Sequence, residues 1–166
     1  MKIGLVVDWP AVDAEPGLPF SEWEQQVLKD LAGGASFRPS LIAAAYPTHV
    51  RRWPDLWTGG KVGGTPLPAA LEARDKLCEK LAGYDTVLTM GPHAMWALTG
   101  QTKIDTYRGT HVDSPFVEGL QVVPTYAPYV FTRLAWNERP VVAAAMRKVQ
   151  HRYVDSPRKI YLPQSV

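Results

Sequence analysis

The chain has 166 residues, 46% of them hydrophobic and 20% charged, with a formal net charge of +2. That length and composition suit one domain around one sizeable core, and the mild basicity admits an acidic partner such as nucleic acid without demanding one. A single cysteine, Cys78, excludes an intrachain disulfide or a multi-cysteine metal site. The apolar run at Met1–Asp8 is too short for a signal peptide and no stretch approaches a membrane span, so a soluble, cytoplasmic protein without membrane partners is expected.

Ile3–Val7 is a continuous β-rich run that ends at Asp8. From Phe20 to Leu31, apolar Phe20, Trp23, Val27, Leu28 and Leu31 recur at helical spacing, with Ser21 as N-cap and Gly33-Gly34 as the stop. Leu41 to Tyr46 is alanine-rich, yet Pro39 and Pro47 on either side favour a short buried strand over a helix. Thr48 to Pro68 is rich in Gly, Pro, Trp and Arg and has no period, which predicts a long loop of the functional or mobile kind. A helix follows from Pro68 through Leu81, then a strand Thr86–Met90 ending at Gly91, then a short helix. The polar segment from Gln101 to Gly119 has room for a small hairpin. Leu120 opens the last strand, and a helix from Glu138 or Pro140 to about His151 closes the core with Val141, Val142, Ala145 and Val149. The tail from Asp155 is expected along the surface.

Four hydrophobic strands separated by helices predict a three-layer α/β sandwich around a central four-stranded, parallel or mostly parallel sheet, in a single domain. Ligands of such sheets sit beyond the carboxyl ends of the strands, so the turns after Met90 and Thr125 are where chemistry is sought. His49, Arg51 and Arg52, followed by Trp53 and Trp57, interleave positive charge with aromatic rings, a combination that pairs phosphates and stacks bases. The alternative is a solvated loop whose tryptophans pack back on the domain. Arg108 and Arg133 flank the last strand as further phosphate contacts. The histidines and carboxylates show no metal-ligand spacing.

The motifs in order are a strand ending in Asp8 and Pro10, the turn Gly17-Leu18-Pro19-Phe20, Val87-Leu88-Thr89-Met90-Gly91 running into Ala94-Met95-Trp96-Ala97-Leu98-Thr99-Gly100, Arg108-Gly109, and Val123-Pro124-Thr125-Tyr126-Ala127-Pro128. This order resembles the uracil-DNA glycosylase superfamily, and most of all the glycosylase-like domains that accompany phage DNA polymerases. The resemblance runs from about Ile3 to Arg147. It implies a DNA-facing pocket at the strand ends, no cofactor, DNA as partner, a DNA polymerase or other replication protein as companion, and the host cytoplasm as location for a phage-encoded chain.

Carried over by residue, the resemblance places Asp8 where a carboxylate positions water, with Asp13 and Glu15 as fallbacks in the same loop. A carboxylate suits that role because glycosylic cleavage passes through an oxocarbenium-like state. Asp8 can equally be a cap on the turn after the first strand. Pro10, Phe20, Ser40 and Tyr126 fall on the base pocket, Phe20 as the flat wall that a flipped base needs, or else as a core residue of its helix. His93, at the start of a helix, is a candidate contact to DNA or a neutral hydrogen-bond partner.

The departures are as informative. Ala127 stands where the superfamily has a donating histidine, and losing one preorganised donor costs roughly 10²-fold to 10³-fold in rate. Val7, Trp9 and Ala11 replace small residues of the first motif, and Ser40, Leu41 or Ile42 stands where an asparagine reads uracil. Three classes remain open: a DNA-binding glycosylase-like protein with lost or altered activity, an active DNA glycosylase for uracil or another modified base, and a protein-interaction module built on the tryptophan-rich loop.

Overall fold

A computed structural model describes residues 1–14, 16–50, 56–59 and 62–153. The elements, in chain order, are β1 (Ile3–Val7), α1 (Glu22–Ala35), β2 (Leu41–Ala44), α2 (Pro68–Lys80), β3 (Thr86–Met90), α3 (Pro92–Thr99), α4 (Ile104–Tyr107), β4 (Val112–Asp113), β5 (Gln121–Thr125) and α5 (Arg139–Lys148), with a π-helical turn Val130–Leu134 and a 3-10 turn Trp136–Glu138 before α5. They form an α/β fold around one sheet of order β2-β1-β3-β5-β4.

The first four strands in that order are parallel, and their sequences explain why both faces are covered. Leu5, Val7, Leu88, Met90 and Val123 point into a core shared with Val27 and Leu28 of α1 and Val142, Ala145 and Met146 of α5. The alternate residues Val6, Val87 and Val122 point the other way, against Leu77 of α2, Ala94 and Leu98 of α3, and buried Leu56 and Trp57. β1, β3 and β5 are buried on both sides and read as apolar runs, whereas β2, expected as a buried strand between Pro39 and Pro47, is a partly exposed edge strand with Ile42 open to solvent.

The sheet has five strands where four were expected. β4 pairs antiparallel with β5, Val112 opposite Val122 and Asp113 opposite Gln121. Two residues, one of them charged, carry no periodic signal.

Helix α1 also runs past its expected stop. The Gly33-Gly34 pair lies inside the last turn, and Ser36 at φ 53° is the left-handed cap. Buried Ala35 and Phe37 draw the chain onward, and Gln150 donates to the Ala35 carbonyl at 2.8 Å. Trp23, expected inside, is 53% exposed; Phe20 precedes the helix and so does not define its face, which Glu24, Val27 and Leu28 bury instead. The β2 strand ends at Ala44, two residues before Tyr46. Among the described residues no helix is long and apolar enough to cross a membrane.

Candidate functional site

Register brings Val7, Met90 and Thr125 into one row across β1, β3 and β5. The residues that follow them, Asp8, Gly91 and Tyr126, therefore leave the sheet at one edge. Gly91 has φ 113°, and a Cβ there would run into the Asp8 carboxyl. Only glycine meets both demands, and it lets Asp8 lie over the start of α3.

Asp8 is 6% exposed. Its Oδ1 accepts from the Ala94 N–H at 2.7 Å, and the His93 amide is a second backbone donor. Both amides and the positive end of α3 favour the carboxylate. Burial opposes them and prevails, pushing the carboxyl up to about 7. A carboxyl poised there takes and gives protons near neutral pH.

A cleft of about 370 Å³ opens beside it. Asp8, Val7 and Trp9 line it from the end of β1, Asp13 and Glu24 from the following loop and α1, His49 and Val50 from beyond β2, and Ala127, Pro128, Tyr129 and Arg133 from the turn after β5. Asp13 and Arg133 face each other at 3.8 Å across its exposed rim. His49 donates from Nδ1 to the Pro10 carbonyl at 2.9 Å. Glu24 is tied to the helix cap: its Oε1 accepts from the Ser21 N–H at 3.1 Å, and the Ser21 hydroxyl accepts from the Glu24 N–H at 3.2 Å. Burial raises the Glu24 carboxyl above its usual value. The Tyr129 phenol is raised too, by burial first and then by the charge of Asp8.

The cleft thus gathers Asp8, Asp13, His49 and Arg133 from the expected set. Others lie elsewhere. Phe20 is buried in the core beneath α1 and borders a separate apolar hollow with Leu5, Leu28 and Phe37. Ser40 is exposed at the amino end of β2, where its N–H donates to the Ile3 carbonyl at 2.7 Å; β2 runs parallel to β1, so Ser40 sits at the edge opposite Asp8. Tyr126 packs on the α1/α5 core with the Arg108 guanidinium 5.2 Å over its ring. Neither Tyr126, Arg108 nor Pro10 lines the cleft. Glu15, Arg51, Arg52, Trp53 and the tail from Val154 lie outside the described residues.

His93 belongs to the wall behind the site. It is 1% exposed, accepts on Nδ1 from the Trp57 indole at 3.1 Å, and has Trp9 and Trp96 at ring distances of 5.7 and 5.4 Å. Burial holds it near 4, well below the usual imidazole range. A neutral, enclosed ring makes no phosphate contact.

Among the polar lining residues, Glu24 and Tyr129 were not anticipated. Glu24 has a local signal, the Ser21-x-x-Glu24 capping box. Tyr129 carries none beyond its place next to Pro128. Among the described residues, no three His, Cys, Asp or Glu side chains group as metal ligands. No protein-family model matches the chain, and no curated protein matches it.

Proposed function

We propose that the protein is a divergent uracil-DNA glycosylase-like protein that binds DNA with a nucleotide turned into the Asp8 cleft, its glycosylase activity lost or altered. The observation that carries this reading is one cleft holding both a buried carboxyl with near-neutral acidity and, in Ala127, a methyl that cannot donate. Asp8 keeps the capacity to position and deprotonate water beside a sugar. The methyl gives nothing to a departing uracil oxygen. The parallel order β2-β1-β3-β5 with helices on both faces is consistent with the superfamily's sheet, and work beside a DNA polymerase in phage replication or repair goes with the same reading.

The test is titration of the chain with single- and double-stranded oligonucleotides at low salt, followed by incubation with uracil-containing DNA and a search for abasic sites. Binding that weakens as salt rises is expected, with uracil release slow or absent. Undetectable affinity at low salt overturns the proposal.

A further inference from the structure

Large apolar side chains are mostly withdrawn from solvent, and tryptophan is highly buried on average. Here Trp23 is 53% exposed, Tyr129 53%, Leu134 72% and Trp136 70%, and all four attach to the π-helical turn after β5. Tyr129 precedes that turn, Leu134 ends it and Trp136 opens the 3-10 turn that follows, while the Trp23 indole N–H donates to the Thr132 carbonyl at 3.3 Å. The turn is anchored from below. Phe131 is fully buried, the Thr132 hydroxyl donates to the Pro128 carbonyl at 2.7 Å, and Arg139 Nε donates to the Phe131 carbonyl at 3.1 Å. A fixed backbone thus displays the rings, and exposed apolar surface of this kind marks a binding site.

This surface is continuous with the cleft. Tyr129 and Arg133 belong to the cleft wall, and Asp13 lines both the cleft and the hollow beside Trp23. What stacks on an aromatic ring must offer an open π face. In a duplex each base is already stacked above and below, and freeing one costs pairing and stacking energy. A single strand offers its faces at little cost, and aromatic rings beside a cation that meets the backbone hold such strands whatever their sequence. Arg133 supplies the cation. Asp13 and Glu22 share the rim, so charge draws a polyanion only weakly there and stacking has to supply the hold.

Resting on the reading of the cleft as a nucleotide site, we propose that the DNA it takes is single-stranded, with nucleotides flanking the one in the cleft stacked on Trp23 and Trp136 and a phosphate on Arg133. Tyr129, at the mouth, joins the cleft to this platform.

The experiment titrates the full chain with a labelled oligonucleotide, single-stranded or annealed to its complement, at low salt and again at higher salt. Expected are an affinity for the single strand at least about tenfold above that for the duplex, a preference that widens as salt rises because salt weakens phosphate contacts and not stacking, and quenching of tryptophan emission by the single strand. Trp23→Ala and Trp136→Ala each weaken single-strand binding by about fivefold or more and leave duplex binding as it was. Trp136→Phe keeps a ring and most of the affinity, whereas Trp136→Leu keeps an apolar side chain and loses it. Trp136 is exposed, so its variants fold. Equal affinity for the two forms, or alanine variants that bind single strands as the wild type does, overturns this inference, leaves DNA binding standing and turns the rings over to a protein partner. No binding of any oligonucleotide at low salt overturns the underlying reading as well.

Discussion

Replacing Asp8 by Asn isolates what the buried carboxyl does to the fold. Its acidity moves from an ordinary 3.8 to about 7 because burial outweighs the two backbone amides, and each tenfold change in a proton equilibrium is worth about 1.4 kcal/mol. The folded-state value lies above the unfolded one, so the protonated carboxyl's contribution is fully present below about 3.8 and is lost as the pH rises through about 7. In full, that loss is ~4 kcal/mol; between pH 5 and pH 8 it is ~3 kcal/mol. Asn keeps an oxygen for the Ala94 N–H and does not titrate. Thermal melts of both proteins at the two pH values should show the wild type losing about 5–11 °C more than Asp8→Asn, at roughly 2–4 °C per kcal/mol for a chain of this size. Groups common to both, His93 included, cancel in the difference. Parallel loss in the two proteins would refute the argument that burial controls this carboxyl.

Gly91→Ala should lower stability by about 2 kcal/mol or more, since the added Cβ meets the Asp8 carboxyl at a φ of 113°; denaturant melts check the loss. Ser21→Ala removes half of the capping box and should cost about 1 kcal/mol, a fall of roughly 2–4 °C in Tm. His93 behaves oppositely to Asp8: its pKa is depressed from 6.5 to about 4, so its contribution is present above 6.5 and is lost as the pH falls through about 4. Trp57→Phe, which strips the donor from His93 Nδ1, should cost about 1–3 kcal/mol at pH 7 and raise the imidazole pKa, as followed by NMR titration. Asp13→Asn breaks only an exposed ion pair and should move stability by less than about 1 kcal/mol.

The parts of the fold that sequence periodicity revealed are those where one physical term dominates. β1, β3 and β5 are apolar runs, β2 is marked off by Pro39 and Pro47, and α2 has Pro68 at its first position. Where tertiary contacts overrode local preference, the reading missed: α1 passes through two glycines to bury Ala35 and Phe37, and β4 exists through its pairing with β5 alone. The site divides in the same way. Asp8 and Asp13 follow from the resemblance of the segment after β1 to a family motif, His49 from a basic loop interleaved with tryptophans, and Arg133 from its place beside the last strand. The resemblance also puts Ser40 in the pocket, but a parallel strand sets its amino end at the far edge of the sheet from Asp8. It makes Phe20 the wall for a base, yet that ring is taken by the α1 core. His93 precedes a helix whose buried side chains include its own.

Among the described residues, three carboxyls line the cleft, Asp8, Asp13 and Glu24, and the forces on them differ. Asp13 faces Arg133 at the exposed rim, where an ion pair contributes little. Glu24 accepts the Ser21 amide and completes a helix cap, a structural return for its burial. Asp8 also caps a helix, through Ala94, but serine, threonine or asparagine would accept that N–H without an ionisable group, and about 4 kcal/mol is a large loss for a fold of marginal stability. Under the proposed function, a carboxyl that weakens the fold most at the pH where it becomes a base, and that lies beside a cleft rather than in a sealed core, serves what enters the cleft and not the turn it closes. If Asp8→Asn were both more stable at pH 8 and unchanged in every binding and release assay, that explanation would have nothing left to support it.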